Sequence, residues 1–454
     1  MAGIGFELRK ILRKDNYWST FQAYGYAGII GSGPWILSIL GLLVIGLTTV
    51  SSSGNQVAQF QVSVTYLIAT SLILTGLVQL AFTRFVADRL FEKRDRCVLP
   101  NFHGVVSVVT VVTALVGTLA VWFLFPTQSL IYRVLMVGSF VVLGNVWVGT
   151  IFLSSIKQYK GILILFALGY GITVGVARLF SSYGIEGMLF GFFLGQFVLL
   201  LGIMVLIFQH YSSPDFLEWE FLQKGKMFRE LIWVGFFYNA ALWVDKLLFW
   251  YFPHTGQWII GPLKSSPIYD LPIFLAYLAI LPGMASFLVR METDFVDRHA
   301  EFYDGIRNGA SLDYIEDAKY EMVQTARHGL FEIMKIQSVV CLICWWNGPA
   351  ILSWFGISLL YESLLYIDVV AASLQIVFLG ILNTLFYLDK RAIALRLTIL
   401  FFVSNAVFTL ATLMAGMTFY GYGFAGAVLL TVIVGMYQLD TTFEKLEFET
   451  FMLQ

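Results

Sequence analysis

The sequence predicts an all-α integral membrane protein, with about twelve transmembrane helices in two parallel, pseudo-symmetric six-helix bundles. Three observations predict it. Hydrophobic residues make up 58% of the chain and charged residues only 13%, whereas a soluble domain has roughly a quarter of its residues charged. Apolar runs recur along the whole chain, each near the roughly 20 residues that one helix needs to cross the hydrocarbon core. Lysine and arginine gather in alternate connections, the bias that sets orientation in a bilayer.

Taken in order, the apolar runs predict spans over 18–50, 60–87, 102–125, 129–156, 161–180, 186–209, 229–252, 268–290, 329–347, 366–388, 392–416 and 421–438. Residues 1–17 read as a basic amphipathic N-terminus carrying Arg9, Lys10, Arg13 and Lys14. They do not read as a cleavable leader, because the apolar run behind them is too long and no small-residue cleavage site follows. The first span is broken by Gly28, Gly31, Gly33 and Pro34. Such breaks persist in a bilayer only where protein or a cavity satisfies the freed backbone. They fit a transport pathway or simple close packing. Halves at 18–210 and 229–438 are joined by a linker over 211–228, and 439–454 forms a tail. The charged segment 291–328 reads as a solvated connector or as a docking site for a cytoplasmic partner. Most of the 28 basic residues fall at the N-terminus and after even-numbered spans, which places both termini in the cytoplasm of a bacterial inner-membrane protein.

The two halves echo each other. Tyr183-Gly184-Ile185-Glu186-Gly187 opens the sixth span and Tyr422-Gly423-Phe424-Ala425-Gly426 the twelfth. Six spans separate them, so the repeat is parallel and a substrate path between halves is one known plan. Gly187, Gly191 and Gly195 share one helix face, a device that lets a neighbouring helix approach closely.

Ionisable groups within a span are costly and mark candidate sites. Asp245 and Lys246 lie in the middle of the seventh span. Adjacent helical residues point about 100° apart, so this pair need not neutralise itself. Asn239, Trp243, Lys246 and Trp250 share a face, an amide–ammonium–indole stripe suited to carbohydrate; a structural ion pair with Arg178 or another helix is the alternative. Asn145 with Trp147, Asn383 and Asn405 are further candidates for the pathway. Glu332 and Lys335 suggest an i,i+3 pair. Asp270, Glu362 and Asp368 lie toward the outer rim, where negative charge would assist release of a cationic product.

Several chemistries are excluded. No G-x-x-x-x-G-K-[ST] is present, so the chain hydrolyses no ATP, and no Asp-x-Asp motif of processive sugar synthases occurs. Five histidines lack metal-ligand spacing, and Cys341-x-x-Cys344 sits in an apolar helix, so no metal or cofactor is expected. A net charge of -1 argues against nucleic acid. A membrane glycan polymerase would present a large outer loop with Arg and His. Here the longest outer loops, near 252–267 and 346–366, carry only His254 and Lys264.

The opening Met1-Ala2-Gly3-Ile4-Gly5-Phe6-Glu7-Leu8-Arg9-Lys10, followed by Tyr24-Gly25-Tyr26-Ala27-Gly28 and a Gly/Pro-broken helix, resembles the PelG family of Pel exopolysaccharide transporters. The length and span pattern fit that family along the whole chain. The resemblance implies membership of the multidrug/oligosaccharidyl-lipid/polysaccharide (MOP) exporter superfamily and a central cavity between two bundles. It implies a substrate rich in N-acetylgalactosamine and galactosamine. It also implies partners: the glycosyltransferase PelF, the cyclic-di-GMP receptor PelD and the membrane protein PelE. Other readings are a lipid-linked oligosaccharide flippase or small-molecule antiporter of the same fold, and a scaffold for the synthase. Elongation by the synthase or an ion gradient acting through Asp245 would drive export.

Overall fold

The computed structural model describes Asn16, Trp18, Ser19, Gln22, Tyr24, Gly25, Ala27, Gly28 and Gly41, then 54–153, 159–223 and 225–452. Most of the predicted first span, with Gly31, Gly33 and Pro34, lies outside the described residues. The rest is helical, because a chain in lipid must satisfy its backbone within each segment. The helices are α1 (Gly54–Phe91), α2 (Val98–Leu124), α3 (Leu130–Leu153), α4 (Tyr159–Leu179), α5 (Gly184–His210) and α6 (Arg229–Tyr251). A short antiparallel hairpin follows, β1 (Gln257–Ile260) with β2 (Leu263–Ser265), pairing Trp258 with Lys264. Then come α7 (Pro267–Leu278), α8 (Leu281–Val289), α9 (Phe295–Arg307), α10 (Leu312–Trp354), α11 (Glu362–Tyr387), α12 (Arg391–Ala415) and α13 (Tyr422–Met452). Ten of the described helices are long and apolar enough to cross a membrane, or eleven if the bent pair α7 and α8–α9 counts as one span.

Lipid as the solvent explains why large apolar side chains such as Leu115, Leu119, Trp122 and Phe123 of α2 are exposed. The bend between α7 and α8 is 40°. It falls beside Pro282, which has no N–H to give the preceding turn. Gln337 Nε2 donates to the Ile280 carbonyl at 3.4 Å, satisfying an acceptor at the break. A π turn over Arg290–Asp294 joins α8 to α9. The charged segment 291–328 is therefore helix almost throughout, and its second part runs unbroken into the α10 span. Ser311 caps α10, accepting from the Tyr314 N–H at 3.4 Å.

The chain forms two compact units. One contains Gly41, 54–243 and 249–266. Its α4 and α5 meet along the glycine stripe: a Cβ on Gly187, Gly191 or Gly195 would overlap Phe180, Ala177 or Thr173. Its α1 and α6 touch backbone to backbone at Gly76 and Gly235. The other unit contains described residues 16–28, then 244–248 and 267–452. Helix α6, which the repeat assigns to the second half, thus gives only 244–248 to that unit. The α10 and α13 ends are tied by Lys319–Glu447 and Arg327–Asp440, each at 2.9 Å.

Candidate functional site

The 244–248 piece of α6 carries Asp245 and Lys246 into the second unit, where both are buried, at 0% and 3% exposure. Lys246 Nζ lies 3.1 and 3.3 Å from the two Asp245 oxygens. Neighbours 100° apart on a helix need not pair, but these two do. The four-carbon lysine stem is long enough to fold back, and a dry interior strongly favours the pair over two separate charges. Tyr269 Oη of α7 donates to Asp245 Oδ2 at 2.6 Å. Asn405 Nδ2 of α12 approaches Asp245 Oδ1 at 3.5 Å and is itself oriented by Thr409 Oγ1 at 2.9 Å. Lys246 also donates to Tyr277 Oη at 3.3 Å and lies over the Phe424 ring of α13 at 5.3 Å.

Asp368 of α11 completes the group. It is fully buried rather than on the outer rim, and neither carboxylate oxygen accepts a hydrogen bond among the described residues. It interacts electrostatically with both Lys246 and Asp245. Two carboxylates therefore act on one ammonium in a buried five-helix cluster. If both ionise, one negative charge is left over, and burial makes that state costly. The cluster is chemically suited to hold one proton or one monovalent cation.

The structure divides the remaining predicted residues. Trp243 and Trp250 are buried in the first unit, 6.3 Å apart, and Trp250 packs on Tyr66 at 4.5 Å. Asn239 donates to the Gly235 carbonyl at 3.0 Å. The stripe thus splits, its lysine serving the acidic cluster and its indoles an aromatic core. Asn145 Nδ2 donates to Thr110 Oγ1 at 2.8 Å, while Trp147 Nε1 donates to Ser71 Oγ at 2.9 Å, so neighbours in α3 serve different helices. Arg178 is exposed at the end of α4. Asn383 is buried near Glu292, whose Oε2 accepts from Tyr387 Oη at 3.0 Å. Glu332 pairs with Arg290 at 2.6 Å rather than with Lys335, which lies over the Phe331 ring. Sequence reasoning missed Tyr269 and Tyr277. Tyrosine in a membrane helix usually signals the interface, and only the packing reveals these two as partners of a charge.

Outside the spans, Cys97, Glu218 and Glu220 offer three ligand atoms within 4.8 Å of one another. Basic groups already occupy that space. Glu220 takes Arg89 and Arg94 at 3.0 Å and Lys226 at 3.5 Å, and Arg94 Nη2 lies 3.3 Å from Cys97 Sγ. This is an ion-pair knot holding the 211–228 linker to α1. Burial pushes the Glu220 carboxyl up, but hydrogen bonding and charge from Arg94, then Arg89 and Lys226, outweigh it and hold the group below its ordinary value. A carboxyl held low when folded adds stability above its unfolded pKa, and that stability fades as pH falls through the folded value. Glu220→Gln is therefore expected to lower the thermal midpoint at pH 7 and to converge on the parent as the pH falls below the ordinary glutamate pKa of about 4.3. A gap that persisted in acid would assign the loss to packing.

No curated protein sequence matches the chain. Among solved structures, an outward-facing multidrug-resistance MATE transporter of the MOP superfamily superposes with a TM-score of 0.68 at 15% identity, covering 93% of this chain and 96% of that one. A MATE transporter in the bent conformation gives 0.65 at 15% identity over 98% of both chains. A MOP-superfamily transporter from Pyrococcus furiosus, described as having a binding pocket of reversed polarity, gives 0.60 at 15% identity over 93% and 96%. These likenesses establish the fold. The model of the PelG exopolysaccharide exporter family (EPS-E) matches residues 1–451. With the MOP fold and the run of apolar helices, that match over nearly the whole length shows that the chain belongs to the PelG family of exopolysaccharide exporters and is a multi-pass membrane protein.

Proposed function

We propose that the protein carries the Pel polysaccharide, rich in N-acetylgalactosamine and galactosamine, across the bacterial inner membrane. It receives the chain from a cytoplasmic glycosyltransferase of the PelF type, works beside PelD and PelE in the lipid bilayer, keeps both termini in the cytoplasm and performs no covalent chemistry itself. The observation that carries a driven mechanism is the buried cluster in which Asp245 and Asp368 act on the single cation Lys246. Such a cluster changes its preferred state when it gains or loses one positive charge, so an ion gradient acting there supports export better than elongation alone.

A scaffold role beside transport is favoured by the ends of α10 and α13. Their outward positions include Asp313, Glu316, Asp317 and Glu444 beside a single Lys445, with Tyr320 and Phe448 exposed among them. Exposed aromatic residues ringed by acid suit a protein partner with a basic face.

The deciding experiment compares surface polymer in cells lacking only this protein with nucleotide-sugar incorporation in broken membranes, where export is not needed. Surviving incorporation with no surface polymer is the expected result. Collapse of incorporation would make the chain part of the synthase.

A further inference from the structure

Helix α11 is the most enclosed of the described spans, yet polar atoms along it go unpaired. Asp368 Oδ1 and Oδ2 and Gln375 Oε1 make no hydrogen bond among the described residues, and the amide of Asn383 faces the buried Glu292 carboxyl. At 100° per residue these three side chains fall within about 80° of one another, and at 1.5 Å per residue they are spaced by about 10 and 12 Å. They form a file down one face of one helix.

The file has neighbours of the same kind. Gln337 of α10, which borders α11 at Ser373 and Val377, leaves Oε1 unpaired, and Ser286 of α8 leaves its hydroxyl unpaired. At the inner end stands Glu292, 1% exposed, held by Tyr387 through Oε2 and facing the Asn383 amide. Glu292 lies within the π turn Arg290–Asp294, where one extra residue per turn re-aims side chains and often marks a functional position.

A buried polar atom left without a partner costs roughly 1–3 kcal/mol. Folded proteins avoid that cost with internal water wherever a site is polar enough to give each water two to four partners. Orphaned atoms scattered at random would read as loose packing, but a file with a carboxylate at each end reads as a hydrated track.

We propose that internal water runs along α11 from Asp368 past Gln375 and Asn383 to Glu292, and that this file passes protons between the two carboxyl groups. A proton leaves the Asp368 carboxyl for the adjoining water as the last water in the file gives one to the Glu292 carboxylate, so charge moves without any bond to carbon changing. Asp368 is faced in this transfer by Asp245, Lys246, Tyr269 and Tyr277, and Glu292 by Tyr387 and Asn383. The track takes its purpose from the ion-coupled reading above, but its existence does not depend on export.

The test is infrared difference spectroscopy of the full chain in bilayers after transfer from water to deuterium oxide. The protonated carboxyl band that Asp368→Asn removes is expected to shift quickly in the parent. In Gln375→Leu it is expected to shift at least tenfold more slowly, and Glu292→Gln should also slow it. Gln375→Met serves if the leucine variant fails to fold. Exchange at the parental rate in the Gln375 variant overturns the track, as does the lack of any band lost with Asp368→Asn. Export plays no part in this readout, so failure of the transport reading would leave the result intact.

Discussion

Lys246→Met alone is expected to destabilise the protein by about 3–5 kcal/mol, because it leaves a buried carboxylate without its cation. Asp245 would keep Tyr269 and Asn405 as hydrogen-bond partners, but Asp368 would remain close by with nothing to balance either charge. Asp245→Leu is expected to be milder, because Asp368 remains to balance the ammonium. The double variant Asp245→Asn/Lys246→Met leaves Asp368 as the one carboxyl of the cluster, which can take up a proton and stay neutral, and should recover most of the membrane abundance and thermal midpoint. Surface polymer should nevertheless stay near zero in the double variant, which separates the role of the pair in transport from its role in folding. Full export by a stable double variant would remove the cluster from the mechanism. Trp243→Ala, by contrast, excavates a packed aromatic core and is expected to lower abundance before export can be judged.

Gly191→Leu is expected to abolish detergent-stable protein. A Cβ at Gly191 already overlaps the backbone of fully buried Ala177, so α4 and α5 would have to separate. Gly191→Ala alone should cost on the order of 1–3 kcal/mol. The contrast lies across the same helix pair, at Gly175 of α4, where a Cβ meets nothing within 4 Å. There alanine should stabilise by up to about 1 kcal/mol through helix propensity. Thermal midpoints of the two alanine variants give the comparison, and equal effects would mean that close approach of the backbones does not hold this pair together.

The spans were legible because lipid makes hydrophobicity a nearly sufficient signal, and the glycine stripe because spacing of four fixes a face. The cluster was legible only in part. Asp245 and Lys246 announced themselves as charges in an apolar run, and Asn405 as an amide in another. Tyr269, Tyr277 and Asp368 did not, since their meeting with Asp245 depends on how α7 and α11 pack against α6. Asp368 shows how a small boundary shift matters: α11 begins at Glu362, four residues earlier than the apolar run suggests, which carries Asp368 a further turn inside. The stripe of Asn239, Trp243, Lys246 and Trp250 is divided for the opposite reason. A shared helix face says which side chains point together but not which of two units packs against each of them.

Helix α10 has 43 residues, and at 1.5 Å per residue it is about 65 Å long, roughly twice the hydrocarbon thickness. Its N-terminal turns are tied to α13 by Lys319–Glu447 and Arg327–Asp440, and a continuous helix of that length is a stiff rod. Such a rod is a lever with its fulcrum in the bilayer. A tilt of about 10° within the membrane would sweep the tip near Leu312 through roughly 7 Å. A protein seated on that tip would feel each change in the membrane-embedded helices as a displacement large enough to open or close its own contacts.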